Sequence, residues 1–239
     1  MFQKFTAMVL MVLMGTACTT TDLQRLGSVL NTQVPLTTAD IGNGLKEALQ
    51  AGINKGADRL SATDGYYKSA YKILLPAEAR QVTDRLKNVP GFAQVEENIL
   101  EKINRGAEDA AKSAKPIFVR AITSMTFNDA MSILKGDRDA ATQYLRRVTY
   151  DQLYAQFNPV IVQSLDKFSA RQYWSDAVTA YNRIPLVKPA NPSLDDYVTR
   201  QALEGLFDMV KQEENNIRTN IAARTTDLLK RVFAEQDNR

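Results

Sequence analysis

From Ala39 to Phe233 the apolar residues of this chain recur three and four positions apart, in runs separated by proline, glycine and aspartate. That spacing gathers each run on one face of a 3.6-residue helix, whereas a half-buried strand would place its apolar residues two apart. The chain is therefore committed to packed helices. Leu45, Ala48, Leu49, Ile53, Ala57 and Leu60 share a face of a helix predicted over about 39–60, which Asp64-Gly65 ends. Tyr71 to Leu75 is the one segment predicted as extended, because it runs into Pro76 and the residue before a proline avoids the α region. A short polar helix is expected over 77–87, ended near Pro90-Gly91. Val95, Ile99, Ile103, Ala107, Ala110 and Ala114 make the next stripe, stopped by Pro116.

Phe118, Ala121, Ile122 and Met125 keep helical spacing despite a β-branched run, and helix is preferred to strand there. Thr126 with Asp129 reads as a capping box, and Gly136 as the stop. Ala141, Tyr144, Leu145 and Val148 line a helix capped by Asp137. Two more are predicted over 151–168, with Pro159 as a split or kink, and over 170–183. Pro185, Pro189 and Pro192 form a stiff connection. Ser193 with Asp196 opens a long helix to about Arg218, and Ile221, Leu228, Leu229, Val232 and Phe233 mark a last one. The expected architecture is an all-α, single-domain bundle of about eight helices, occupying residues 39–239.

The first residues carry an address. Lys4 is followed by a largely apolar run from Phe5 to Met14 and by the small residues Gly15-Thr16-Ala17, a signal-peptide layout too short to span a bilayer. Met14-Gly15-Thr16-Ala17-Cys18 resembles the end of a bacterial lipoprotein signal, with Gly15 where that class usually has leucine. The resemblance implies a signal over 1–17, lipid on the Cys18 thiol, and a lipidated N-terminus and tether over 18–38. Thr19 and Thr20, in place of aspartate, imply the outer membrane and its periplasmic face. The alternative is ordinary cleavage and a soluble periplasmic protein. About twenty extended residues reach at most about 70 Å.

With Lys4 removed along with the signal, 29 basic and 27 acidic side chains remain. That near balance is no nucleic-acid footprint, which concentrates basic residues on one face. The chain has no histidine and a single cysteine. Serine–histidine and cysteine–histidine catalysis and an ordinary zinc site are thereby excluded, and so is an internal disulfide. No cofactor and no metal are expected.

Several segments resemble a bacterial family catalogued as domain of unknown function 4197. They are Gly44-Leu45, Ala48-Leu49, Leu75-Pro76, Ala107-Glu108 with Ala110, Asp129-Ala130 and Ile133-Leu134 with Gly136. Ala141-Thr142 with Tyr144-Leu145, Tyr197-Val198, Gly205-Leu206-Phe207, Glu213-Glu214, Ile217-Arg218 and Val232-Phe233 extend the likeness over about 40–234. The resemblance implies a helical periplasmic domain and carries no catalytic residues.

Ser-x-x-Lys occurs at Ser69/Lys72, Ser132/Lys135 and Ser164/Lys167, but the Lys-Thr-Gly partner of acylated-serine enzymes is missing, so chance recurrence is preferred. Gly52 and Gly56 predict close helix packing inside the domain, with a homodimer contact as the alternative. Adjacent carboxylates such as Asp195-Asp196 and Glu213-Glu214 point about 100° apart on a helix and are not sites in themselves. The candidate polar network or ligand site is Asn104, Glu108, Asp129, Glu213, Glu214, Arg218 and Arg224, read first as a structural pin for the last helices and second as a polar pocket.

Three functions are carried forward. The first is a non-enzymatic interaction or scaffold module, held to the membrane through Cys18 and meeting an envelope protein or cell-wall partner. The second is a carrier with a lipid or small molecule among Phe118, Tyr144, Phe157, Trp174 and Phe207, residues that ordinary core packing also explains. The third is a carboxylate-based hydrolase of envelope polymers.

Overall fold

A computed structural model describes residues 36–86, 94–167, 169–190 and 193–234. The expected signal over 1–17, Cys18, nearly all of the expected tether over 18–38, Pro90-Gly91 and Pro192 lie outside the described residues. Helix α1 (Thr38–Ser61) starts where Thr37 and Asp40 form a capping box, each side chain accepting the other's backbone N–H. An irregular stretch over 62–76 leads to α2 (Ala77–Leu86), α3 (Val95–Ala111) and α4 (Ala114–Thr123). Then follow α5 (Phe127–Lys135), α6 (Ala140–Lys167), α7 (Ala170–Asn182) and α8 (Asp195–Thr219), a 3₁₀ turn (Ile221–Ala223) and α9 (Asp227–Ala234). The protein is all-α, with no strand among the described residues. From Leu36 onward the chain is one compact unit.

Two long helices organise it. α6 packs against α3, α4, α5, α7 and α8, while α1 packs against α3, α4, α5, α8 and α9. Phe118, Phe157 and Phe207 belong to the core and are closed to solvent, with Phe118 edge-on to Phe207 at 5.7 Å. Gly52 and Gly56 let α1 approach α8. A Cβ on Gly56 would stand 2.9 Å from Met209 Cγ, and one on Gly52 3.3 Å from Glu213 Cβ. The small-residue pair thus serves packing within the domain.

Four expectations are corrected. No break separates 150 from 151, since α6 runs unbroken through Asp151 and carries Pro159 inside it. The carbonyl that Pro159 deprives of a partner belongs to Ala155, and both residues are exposed, so water can take the bond. Pro116 does not stop the preceding helix. It sits in the first turn of α4, where backbone donors lack helical partners in any case, and the chain breaks earlier at Lys112-Ser113. Ser193 and Asp196 do not cap α8: Leu194 holds that position without a side-chain bond, and Asp196 accepts from the Tyr154 hydroxyl and Arg200. Ile221 is not on the face of the last helix. It lies exposed in the 3₁₀ turn, and α9 begins at Asp227.

Candidate functional site

The seven polar residues do not form one cluster. Asp129 is the N3 residue of α5, and its carboxylate accepts the Thr126 N–H at 3.0 Å and the hydroxyl at 2.6 Å. Those bonds, first the hydroxyl and then the amide, hold its carboxyl below the usual carboxylate range. Glu213 reaches Lys55 on α1 at 2.9 Å.

Glu214 and Arg218 form a deeply buried ion pair. They lie one turn apart on α8, with the guanidinium Nη2 2.9 Å from Oε1 and both side chains more than nine-tenths buried. The carboxylate also faces the start of α6, accepting the Ala141 N–H at 3.0 Å, the Thr142 N–H at 2.9 Å and the Thr142 hydroxyl at 2.8 Å. An anion at a helix N-terminus satisfies donors that have no partner within the helix. Arg218 continues to the Ile133 carbonyl near the end of α5 at 2.8 Å. One ion pair therefore joins three helices. Arg224, also buried, donates to the Ile217 and Arg218 carbonyls at 3.0 and 2.9 Å and so closes the C-terminus of α8.

Asn104 and Glu108 belong to α3 and hold the irregular stretch. Asn104 pairs with both backbone groups of Ile73, accepting the N–H at 2.8 Å and donating to the carbonyl at 2.9 Å, as a neighbouring strand would. Glu108 accepts the N–H groups of Tyr66 and Tyr67 at 3.2 and 3.1 Å. Its other oxygen meets Arg105 at 2.8 Å, and Arg105 reaches Asp64 at 2.8 Å. The hydrogen bond from Arg105 lowers the Asp64 carboxyl, and Glu108 raises the guanidinium. Tyr66 is fully buried, donates to the Ala202 carbonyl at 2.7 Å, and is raised by that burial. Tyr67 donates to Glu97 and is pushed up to about 12, chiefly by that bond.

Beside Glu108 opens a surface groove of about 680 Å³, lined by Ser61, Thr63, Arg105, Lys112 and Ser164 among others. Its charges are largely paired with each other, Arg105 with Glu108 and Lys112 with Asp109 at 2.8 Å each. The Ser-x-x-Lys motifs yield no nucleophile and base. Ser69 donates to the Gly65 carbonyl at 2.6 Å while Lys72 sits over the Tyr67 ring, and Ser132 and Lys135 are both exposed. Ser164 is buried beside Gly106, whereas Lys167 is exposed. No group of potential metal ligands and no helix able to cross a membrane occurs among the described residues.

Sequence reasoning missed Asp64, Arg105 and Thr142. Arg105 and Glu108 are three apart on one helix, a spacing that marks a local pair, but Thr142 is reached only through the packing of α6 on α8. No curated protein and no solved structure matches the chain. A family model matches residues 35–234, ending where α9 ends. By that match, the chain belongs to the family described as protein of unknown function, DUF4197.

Proposed function

We propose that the protein is a cell-envelope lipoprotein, anchored by Cys18 to the outer membrane on its periplasmic side, whose helical domain acts as a non-enzymatic interaction module. The observation that carries this reading is the employment of the buried polar groups. Glu108, Glu214, Asn104 and Arg224 each hold backbone N–H or carbonyl groups of a neighbouring element. A general acid or base needs a carboxylate free to face a substrate, and these are engaged in positioning helices. Phe118, Phe157 and Phe207 likewise fill the interior that a carrier would need to leave open. A domain so closed works through its outer surface, on an envelope protein or the cell wall.

The test follows the full chain in a diderm bacterium. Intact mass and metabolic labelling with a fatty acid read the state of Cys18, and membrane fractionation reads the address. Cross-linking in cells then reads the partner. Acylation, loss of membrane association in Cys18→Ser and a reproducible cross-linked envelope protein or wall fragment are expected. An unacylated soluble chain overturns the anchor. A lipid released from the purified domain overturns the module in favour of a carrier. Wall hydrolysis that Glu108→Gln abolishes while the fold persists overturns it in favour of an enzyme.

A further inference from the structure

Between α7 and α8 the chain makes a short loop with an unusual apex. Leu186 is fully exposed, at 105 % of its reference accessibility, and has φ of 67°. The other large apolar side chains exposed among the described residues lie at 41–61 %, a range in which single surface residues call for no explanation. A left-handed backbone is where glycine is favoured, and a leucine there is strained. Pro185 precedes it, as in turns whose next residue takes positive φ. Neither backbone preference nor burial accounts for leucine at this place, and strain kept at one point of an ordered loop argues for a role outside folding.

The loop is also held rigidly. The Asn182 side chain clamps its base, accepting the Ala190 N–H at 2.9 Å and donating to the Ala190 carbonyl at 3.3 Å. Ile184 donates its N–H to the Tyr181 carbonyl at 2.9 Å, and Ile184 and Val187 pack against the core on either side of the apex. Arg183 and Lys188 flank it. Both are exposed, neither has an ion-pair partner among the described residues, and residues 183–190 contain no acid. An apolar tip between two unpaired cations on flexible stems is the pattern of interfacial lipid binding, where the stems lie along the acyl boundary and the charges meet headgroup phosphates.

We propose that the 183–190 loop is a membrane-contact tip, in which Leu186 enters the acyl region of an anionic bilayer while Arg183 and Lys188 engage lipid phosphates. It rests on the envelope reading only for the presence of a membrane within reach. A chain already tethered to a surface needs little affinity for a second contact, because tethering raises the effective concentration of the tip at that surface. The tip then sets which face of the domain looks away from the membrane.

The test uses the full chain with a C-terminal hexahistidine tag, held on vesicles that contain a nickel-chelating lipid. Acylated and unacylated chains are thus brought to the same surface. The vesicles are phosphatidylethanolamine and phosphatidylglycerol with dibrominated acyl chains. Leu186→Trp reports insertion by bromine quenching, and the native chain is the blank, since Trp174 is buried. About half of the added emission is expected to be quenched, and several-fold less on phosphatidylcholine. Arg183→Glu with Lys188→Glu should abolish the quenching in the same background. Ile221→Trp, placed at another exposed apolar site, should remain unquenched. Quenching at 186 no greater than at 221 overturns the proposal, and a photocross-linker at 186 capturing a protein in cells would then place a protein beneath the tip. Intact mass of the same sample reads the state of Cys18, so failure of the anchor and failure of the tip are separate results.

Discussion

Replacing Glu214 by glutamine changes one oxygen to an amide nitrogen and almost nothing in volume, yet it reverses the chemistry at the centre of the fold. The carboxylate accepts five hydrogen bonds, from Ala141 N–H, from the Thr142 N–H and hydroxyl, and from Arg218 Nε and Nη2. In the amide, one end must turn N–H groups toward donors, either those of α6 or the guanidinium. Arg218, with a side chain 7 % exposed, then loses the carboxylate it meets at 2.9 Å. Removing one member of a buried pair costs about 3–5 kcal/mol. With a urea m value of about 2 kcal/mol/M for a domain of this size, the unfolding midpoint should fall by about 2 M. Urea titration followed by circular dichroism measures it. Arg218→Leu added to Glu214→Gln removes the buried charge while the amide oxygen still accepts from α6, and the double variant should be more stable than Glu214→Gln alone. A midpoint shift below about 0.5 M for Glu214→Gln would refute the argument, because it would leave Glu214 unneeded for the fold and available for chemistry.

Glycine substitutions should rank by what the new Cβ meets. On Gly65 it would run into the Arg59 carbonyl oxygen and stand 2.5 Å from that of Leu60, so Gly65→Ala should cost about 3 kcal/mol or more in thermal unfolding. Gly56→Ala presses on the flexible Met209 side chain at 2.9 Å and should cost about 1 kcal/mol; equal losses would contradict the contact geometry. Asn104→Ala leaves the buried Ile73 N–H and carbonyl without partners, a loss of about 3–5 kcal/mol, with hydrogen exchange at Ile73 rising as its signature. Acid titration has a definite sign. Asp40 and Asp129 are lowered below 3.8, first by the Thr37 and Thr126 hydroxyls. Their contribution is therefore complete above 3.8 and lost as pH falls through the lowered values, a loss that Thr37→Ala and Thr126→Ala should diminish. With no histidine in the chain, the melting temperature should stay level between about pH 5 and 8.

What could be read in the sequence was local, and what could not depends on the arrangement of helices. Thr126 and Asp129 cap α5 through bonds three residues apart, and Glu214 and Arg218 pair across one turn, so spacing alone reveals both. Thr142 meets Glu214 from 72 positions away, and Asn104 meets Ile73 across 31 positions, and no periodicity marks either partner. The undivided α6 shows the same limit from the other side. Seven of its buried residues, Ala141, Leu145, Thr149, Leu153, Phe157, Ile161 and Leu165, are each four apart. A step of four turns the buried direction by about 40°, so the stripe winds round the helix as its successive neighbours require. A reading that seeks one fixed face sees that stripe leave the face and infers a break near Asp151. The winding is the signature of a helix surrounded by others. α6 is contacted by α3, α4, α5, α7 and α8 in turn, and its polar start is where Glu214 is held. Of the residues that looked most like a site, Glu214 fixes this central helix against α8 and Arg218 ties the pair to α5, while Asn104 and Glu108 hold the stretch over 62–76 against α3.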